Sequence, residues 1–259
     1  MKKSVLKIIN KLGYEVKKVP VRKKSKAGNG LSLHKTTTGN YYLPVDASRD
    51  IIAIAIKENK IFDENIYHTA KAFIKPGSTV LDVGSNFGQM AILFSDLVGP
   101  KGKVYAFDAA DFVFDILTKN IEANNKKNIK ATFGAVHNVS GGHLFFPEPD
   151  FNKFSTYGSF GIDYKNKKGR KVPTLTIDSL NIQGPVSFMK VDVQGGDLCA
   201  MQGAVNTIAK NKMPILFEYE YLFEDEMPHN FQDYVDFVNK INYKFAKVID
   251  GQNYLILPK

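Results

Sequence analysis

The apolar positions change period along the chain, and each change marks an element. Residues 2–19 place Val5, Ile8, Ile9, Leu12 and Val16 on one helical face, with Lys2, Lys3, Lys7 and Lys11 around the other and a break at Gly13. Residues 20–40 are rich in Lys, Gly and Thr and read as a loop with one hairpin near Thr38-Gly39-Asn40-Tyr41. Helical spacing returns over about 48–58 and 63–74, and Pro76-Gly77 turns the chain into a strand at Val80, Leu81 and Val83. Alternation then sets in. Strands over Lys103–Phe107, Ile129–Phe133 and Pro214–Tyr219 follow helices over Met90–Val98, Asp111–Asn125 and Asp197–Lys210 in turn, and a further strand covers Val186–Val191. Residues 140–175 interrupt it: Gly141-Gly142, Pro147, Pro149, Tyr157-Gly158 and the basic run from Lys165 to Lys171 imply a hairpin and a long loop. A helix over Phe231–Ile241 precedes two strands, Phe245–Ile249 and Tyr254–Leu257, around the turn signal Asp250-Gly251. The pattern predicts an α/β fold, doubly wound on a mostly parallel sheet, with one antiparallel strand at or near its edge.

Composition refines this only in places. A chain of 259 residues with 44% hydrophobic content fits one α/β domain with an extension. No run of about 18 apolar residues suggests a spanning helix. The N-terminus has no apolar stretch of the kind a secretory signal needs. The single cysteine, Cys199, sits on an apolar helix face and reads as a small buried hydrophobe, consistent with a reducing cytoplasm. The net charge of +9 is unevenly placed: residues 1–35 carry eleven Lys or Arg against Glu15 alone, which leaves the remainder at −1. Residues 1–45 therefore read as a basic amphipathic arm and loop, suited to an anionic membrane surface, to a partner, or to docking on its own domain. Residues 46–259 read as the working domain, and their near-neutral balance argues against nucleic-acid binding.

The densest chemical signal is Asp82-Val83-Gly84-Ser85-Asn86-Phe87-Gly88. A strand, a Gly-bracketed turn and a helix place a ligand over a helix N-terminus, and Gly84 and Gly88 permit close backbone approach. Asp82 has no structural use in a strand buried on both faces, so it needs a polar partner, which a ligand amine or hydroxyl would supply. The spacing does not meet the G-x-G-x-x-G dinucleotide pattern, which argues against a nicotinamide-dependent oxidoreductase. Asp108, twenty residues past Gly88, ends the next strand, where an acid can accept two hydrogen bonds from a ribose diol; capping of the following helix is the alternative. Ala109 follows it. Gly134, Ala135 and Val136 end the third strand with room for a flat ring, and His137 and Asn138 add polar edges. Lys190 and Asp192 end a fourth strand and must be paired or liganded. Both point to the same face, so Lys190 could hold Asp192 ionised. Asp192, Glu218, His137 and Asp197 are candidate bases for a hydroxyl acceptor. No dedicated cluster of hard oxygen ligands is seen, so no metal is expected. Residues 155–161 mix hydroxyls, aromatics and glycines and suit a glycan or polyol.

In order, Asp82 to Gly88, Thr174 to Leu180, Lys190-Val191-Asp192-Val193-Gln194-Gly195 with Asp197, Gly203-Ala204, and Pro214 to Glu218 resemble the FkbM family of S-adenosylmethionine (SAM)-dependent O-methyltransferases over about residues 60–220. The resemblance implies a Rossmann-like class I fold with a seven-stranded sheet, SAM as cofactor, and methyl transfer to a hydroxyl on a sugar or glycan intermediate. A polyketide-like acceptor, or a SAM-binding module without transfer activity, are the alternatives. It implies that Asp82, Gly84, Ser85, Asn86, Gly88, Asp108, Ala109, Ala135, Val136 and Asp192 surround the cofactor. Two departures stand out. The family pattern Asp-Val-Glu-Gly-x-Glu has Gln194 and Asp197 here, and its Phe-Glu-Pro is Phe107-Asp108-Ala109. Gln194 removes a charge from the active edge, which would weaken a general-base role there.

Overall fold

A computed structural model describes residues 30–148, 156–158, 160–165 and 168–259, with the backbone alone at 222 and 223. The amphipathic helix expected over 2–19, with Ser155 and Ser159, lies outside the described residues. A hairpin of β1 (Leu31–Thr36) and β2 (Gly39–Pro44) leads to helices α1 (Ile51–Lys57) and α2 (Glu64–Lys71). Then come β3 (Thr79–Val83), α3 (Gln89–Val98), β4 (Lys103–Asp108), α4 (Asp111–Ala123) and β5 (Ile129–Phe133). Short strands β6 (Ala135–Val136), β7 (His143–Phe146) and β8 (Arg170–Leu175) follow. The chain closes with β9 (Val186–Val191), α5 (Asp197–Gln202), α6 (Val205–Asn211), β10 (Ile215–Glu218), α7 (Phe231–Lys240), β11 (Tyr243–Ile249) and β12 (Asn253–Pro258).

The main sheet has seven strands in the order β11-β12-β10-β9-β3-β4-β5. Pairing is parallel from β10 through β5, and β12 is antiparallel to both of its neighbours. The expected antiparallel strand therefore lies second from the edge. Alternation of side chains splits the core in two. Leu81, Val83, Met189, Val191, Ile215 and Phe217 join one buried cluster, while Val80, Val104, Phe188 and Leu216 join the cluster on the opposite face. β6, β8 and β7 form a separate three-stranded sheet in that order, in which β7 and β8 pair antiparallel within the 140–175 span, while much of the long loop expected there lies outside the described residues.

Residues 31–44 are built into the body of the protein. Tyr41 and Leu43 are fully buried. Asn120 of α4 and the C-cap Asn124 splice the hairpin on: Tyr42 N donates to Asn120 Oδ1 at 2.6 Å and Asn40 N to Asn124 Oδ1 at 2.8 Å. The single helix expected over 197–210 is instead two. At the break, a Cβ on Gly203 would lie 2.0 Å from the His137 carbonyl oxygen, so the chain presses too closely there for a side chain. The Asp178 carboxylate then receives the Asn206 and Thr207 amides, each at 2.9 Å, and starts the second helix. Among the described residues no helix is long and apolar enough to cross a membrane.

Candidate active site

The C-terminal ends of β4, β3, β9 and β10 open on one cavity. This is the edge at which open parallel sheets hold ligands, because loops diverge there and helix N-termini point inward. The loop after β3 makes its floor. Gly84 has φ +83°, and a Cβ there would stand 1.8 Å from the Asp192 carbonyl oxygen, so β3 and β9 can converge only over a glycine. Asp192 N donates to Val83 O at 2.9 Å and closes the same junction. Asn86, at φ 48°, turns its amide onto Asp108 Oδ2 at 2.9 Å. Ala110 N donates to Asp108 Oδ1 at 2.9 Å. Asp108 thus holds two loop amides without capping α4, whose N-cap is Ala110 and has no side-chain cap bond; each of its oxygens keeps an acceptor site and the residue lines the cavity.

Across the sheet, Lys190 Nζ lies 3.0 Å from Asp192 Oδ2 and donates to Gly84 O at 3.4 Å. Gln194 then bridges two carboxylates, its Nε2 donating to Asp192 Oδ1 at 3.2 Å and to Glu218 Oε2 at 2.9 Å. Gln252 Nε2 reaches Glu218 Oε1 at 2.8 Å. Beneath them, the fully buried Asp197 accepts from Glu218 N at 3.3 Å and Val193 N at 3.4 Å. A strap over the cavity is held by two acids. Asp50 caps α1 through Ala53 N at 2.8 Å and also receives Tyr157 N at 2.8 Å, while the Tyr157 hydroxyl donates to Asp46.

The methyltransferase FkbM domain matches residues 82–245, which is more than half of the chain and includes every residue just described except Asp46, Asp50, Ala53 and Gln252. The chain belongs to the FkbM methyltransferase family. Solved structures with a similar outline include a methyltransferase FkbM from Methylobacillus flagellatus (14% identity, 75% of this chain and 50% of that one, TM-score 0.43). An O-methyltransferase from Thermotoga maritima (13%, 87% and 76%, 0.44) and a precorrin-6y C5,15-methyltransferase from Geobacter metallireducens (9%, 76% and 89%, 0.44) are also similar. Those likenesses are distant, and membership rests on the domain match.

For an FkbM methyltransferase the sequence located most of this cavity. Gly84, Ser85, Asn86, Asp108, Ala109, Ala135, Val136, Asp192 and Glu218 all line it. Four expected residues do not, one of them the fully buried Asp197 beneath the network. Asp82 is fully buried, and among the described residues neither carboxylate oxygen has a hydrogen-bond partner. Its register neighbour on β9 is Lys190, whose positive charge acts on it without a hydrogen bond. Gly88 faces α4, where a Cβ would meet Leu117 Cδ1 at 2.6 Å; it permits helix packing. His137 is absent from the cavity lining; its N donates to Leu175 O at 2.8 Å, and its buried Nδ1 has no hydrogen-bond partner among the described residues. Residues that sequence reasoning passed over also reach the cavity, among them Asp50, Asp63, Gln89, Tyr164, Glu220 and Gln252. Only the Asp50 helix cap had a legible signal.

The carboxylates are not equivalent. Burial pushes Asp108 up to about 7, despite two backbone donors, and Asp82 up to about 6, despite Lys190. Burial and the nearby Asp192 charge push Asp197 up to about 7. Burial alone would raise Asp192, but the Lys190 ammonium and the hydrogen bonds from Lys190 and Gln194 outweigh it and hold Asp192 below the usual carboxylate range. Burial and the charges of Asp192, Asp197 and Glu220 drive Glu218 well above its ordinary value. The pair therefore keeps its proton on Glu218 and its charge on Asp192.

Proposed function

We propose that this FkbM methyltransferase transfers a methyl group from SAM to a hydroxyl on a neutral, polar acceptor, of which a sugar or glycan intermediate is the best fit. The observation that carries the reading is the convergence of the Gly84-Ser85-Asn86 loop, Asp108 and the Lys190–Asp192 pair on one cavity. These residues suit the cofactor. Asp108 has acceptor capacity left for a ribose diol, and Ala109, Gly134, Ala135 and Val136 offer a small-residue wall for the base. When bound, SAM supplies an electrophilic methyl on sulfur, so the protein need only position the acceptor and manage its proton.

The lining supports a neutral acceptor by its charge. Asp50, Asp63, Asp108, Asp192, Glu218 and Glu220 face Lys190 as the one basic residue among the described lining, a poor setting for phosphates. Neutral Glu218 can donate its proton in a hydrogen bond, and ionised Asp192 can accept one from the acceptor hydroxyl and take its proton. Tyr164 and Phe160 add aromatic surface at the mouth, which suits stacking on a sugar ring. The arm over residues 1–35, with its net +10, is suited to the anionic face of a membrane in the cytoplasm.

The test is transfer from labelled SAM to a panel of sugars, glycan intermediates and polyketide-like alcohols, by wild type and Asp192→Asn. The expected result is methylation of a sugar hydroxyl, reduced about 10²–10⁴-fold in the variant. Binding of S-adenosylhomocysteine with no transfer to any acceptor class would favour the non-catalytic module. Equal transfer by both proteins would remove Asp192 from the proton path.

A further inference from the structure

The cavity has two chemically different ends. Asp108, Ala109 and Ala135 lie over β4 and β5, whereas Asp192 ends β9, on the other side of β3. At parallel-strand spacing, β5 and β9 are about 14 Å apart. Asp63 lines the cavity as well, and its charged surroundings place it at the β9 end: it feels Lys190, Asp192 and Asp250. Its carboxylate differs from those of Asp108, Asp192 and Glu218. Asp108 holds two backbone amides, Asp192 holds Lys190 and Gln194, and Glu218 holds Gln194 and Gln252. Among the described residues, no hydrogen bond or ion pair reaches the Asp63 side chain. It precedes α2 at the capping position but makes no cap bond, and its φ of 54° is left-handed.

That conformation is held from outside. Gln89, the first residue of α3, accepts from Phe62 N and donates to Lys60 O, both at 2.9 Å. Ile66 N and Tyr67 N bind Asp63 O at 2.9 and 3.1 Å. The backbone on both sides is thus pinned while the carboxylate is left for something else, and a backbone in a sparsely populated region at a ligand cavity is a pointer to function. Lys190 offers it little, because its ammonium is already committed to Asp192 and Gly84 O. Partial burial beside Asp192 and Asp250 penalises its ionised form and raises its pKa to about 6. A cation is the partner that would relieve both effects.

We propose that Asp63 is the anchor for the α-ammonium group of the cofactor's amino-acid end. The proposal rests on the SAM reading above and adds to it the residue that distinguishes the whole cofactor from its nucleoside part. A preformed carboxylate at the end of the cleft away from Asp108 would select a ligand with a nucleoside at one end and a positive charge at the other. The acceptor need not carry charge.

The experiment is calorimetry on the full chain with two probes, S-adenosylhomocysteine, which carries the ammonium, and methylthioadenosine, which has the same thioether nucleoside without the amino acid. Asp63→Asn should fold, because this backbone already holds Asn59, Asn86, Asn125, Asn181 and Asn242 at positive φ. The expected result is a rise of about ten- to hundredfold in the dissociation constant for S-adenosylhomocysteine, the size of one charge-assisted hydrogen bond. Methylthioadenosine should bind wild type and variant within about twofold, which also certifies the fold. Asp63→Glu should recover part of the loss. Unchanged S-adenosylhomocysteine affinity, or an equal loss for both probes, overturns the assignment. Wild type binding neither probe would instead overturn the SAM reading itself.

Discussion

Gly84 allows a controlled test of whether the β3–β9 junction is as tight as it looks. Replace it with alanine and compare Gly77→Ala. Both glycines are left-handed, at φ +83° and +78°, but Gly77 has nothing within 4 Å of an added Cβ, whereas at Gly84 the Cβ would meet Asp192 O at 1.8 Å and Asp192 C at 2.8 Å. The dihedral penalty is common to the two, about 1–2 kcal/mol for an L-residue in this region. The overlap is not. Both obstructing atoms are backbone, so a whole strand end must move, and overpacking of that kind costs about 1–3 kcal/mol more. Gly77→Ala should therefore lose about 1–2 kcal/mol and Gly84→Ala about 2–5 kcal/mol, from a total that is typically 5–15 kcal/mol. The extra strain also separates Asp192 from Val83 and disturbs the Lys190–Asp192 pair, so cofactor binding should fall only in Gly84→Ala. Urea denaturation and calorimetry with S-adenosylhomocysteine read the two effects. Equal loss in the two variants, with equal ligand affinity, would refute the close approach and with it the reason given for a glycine at this position.

Two further outcomes follow from the carboxylate network. Gln194→Glu, which restores the family pattern, should lower stability by a few kcal/mol in thermal or urea melts, because it replaces a two-way donor with a third acid beside Asp192 and Glu218, and like charges at such a site repel; a variant as stable as wild type would mean that the amide bridge contributes nothing. Stability should also decline as pH rises from about 4 to about 7. Asp82, Asp108 and Asp197 have folded-state pKa values raised from 3.8 to about 6, 7 and 7, so over this window the native state holds protons that the unfolded chain has shed. Their contribution is fully present below about pH 4 and lost by about pH 7, on the order of 1.4 kcal/mol for each tenfold difference in proton affinity between the folded and unfolded chain. Melting temperatures at pH 5, 6, 7 and 8 should show the decline, and Asp197→Asn should flatten it; a curve that rises with pH, or is unchanged in that variant, would contradict the assignment.

What the sequence determined by itself was whatever depends on local period and local chemistry. Runs of Val, Ile and Leu bounded by Gly and Pro located the core strands, and β5 and β9 span the residues that pattern picked out. The ordered motifs from Asp82 to Glu218 identified the family, and acids at strand ends predicted where the cavity would be, because parallel strands bring their C-terminal residues to one edge whatever the loops do. Lys190 and Asp192 could be paired from the strand period alone. The tertiary structure decided which buried acid meets the cavity and which only meets a neighbouring strand. Asp82 and Asp108 look alike in sequence, yet Asp82 stands fully buried beside Lys190 while Asp108 opens on the cavity. It also decided that Gly88 serves helix packing, that His137 stays out of the cavity lining, and that a close approach at Gly203 divides the helix over 197–210. Asp63 and Gln194 could not have been ranked from the chain, because their roles depend on contacts with residues 24 or more positions away: Gln89 pins the backbone beside Asp63, and Gln194 bridges to Glu218. Period and propensity are properties of neighbours along the chain, whereas burial, pairing and charge at a site are set by the residues that folding brings across from other strands.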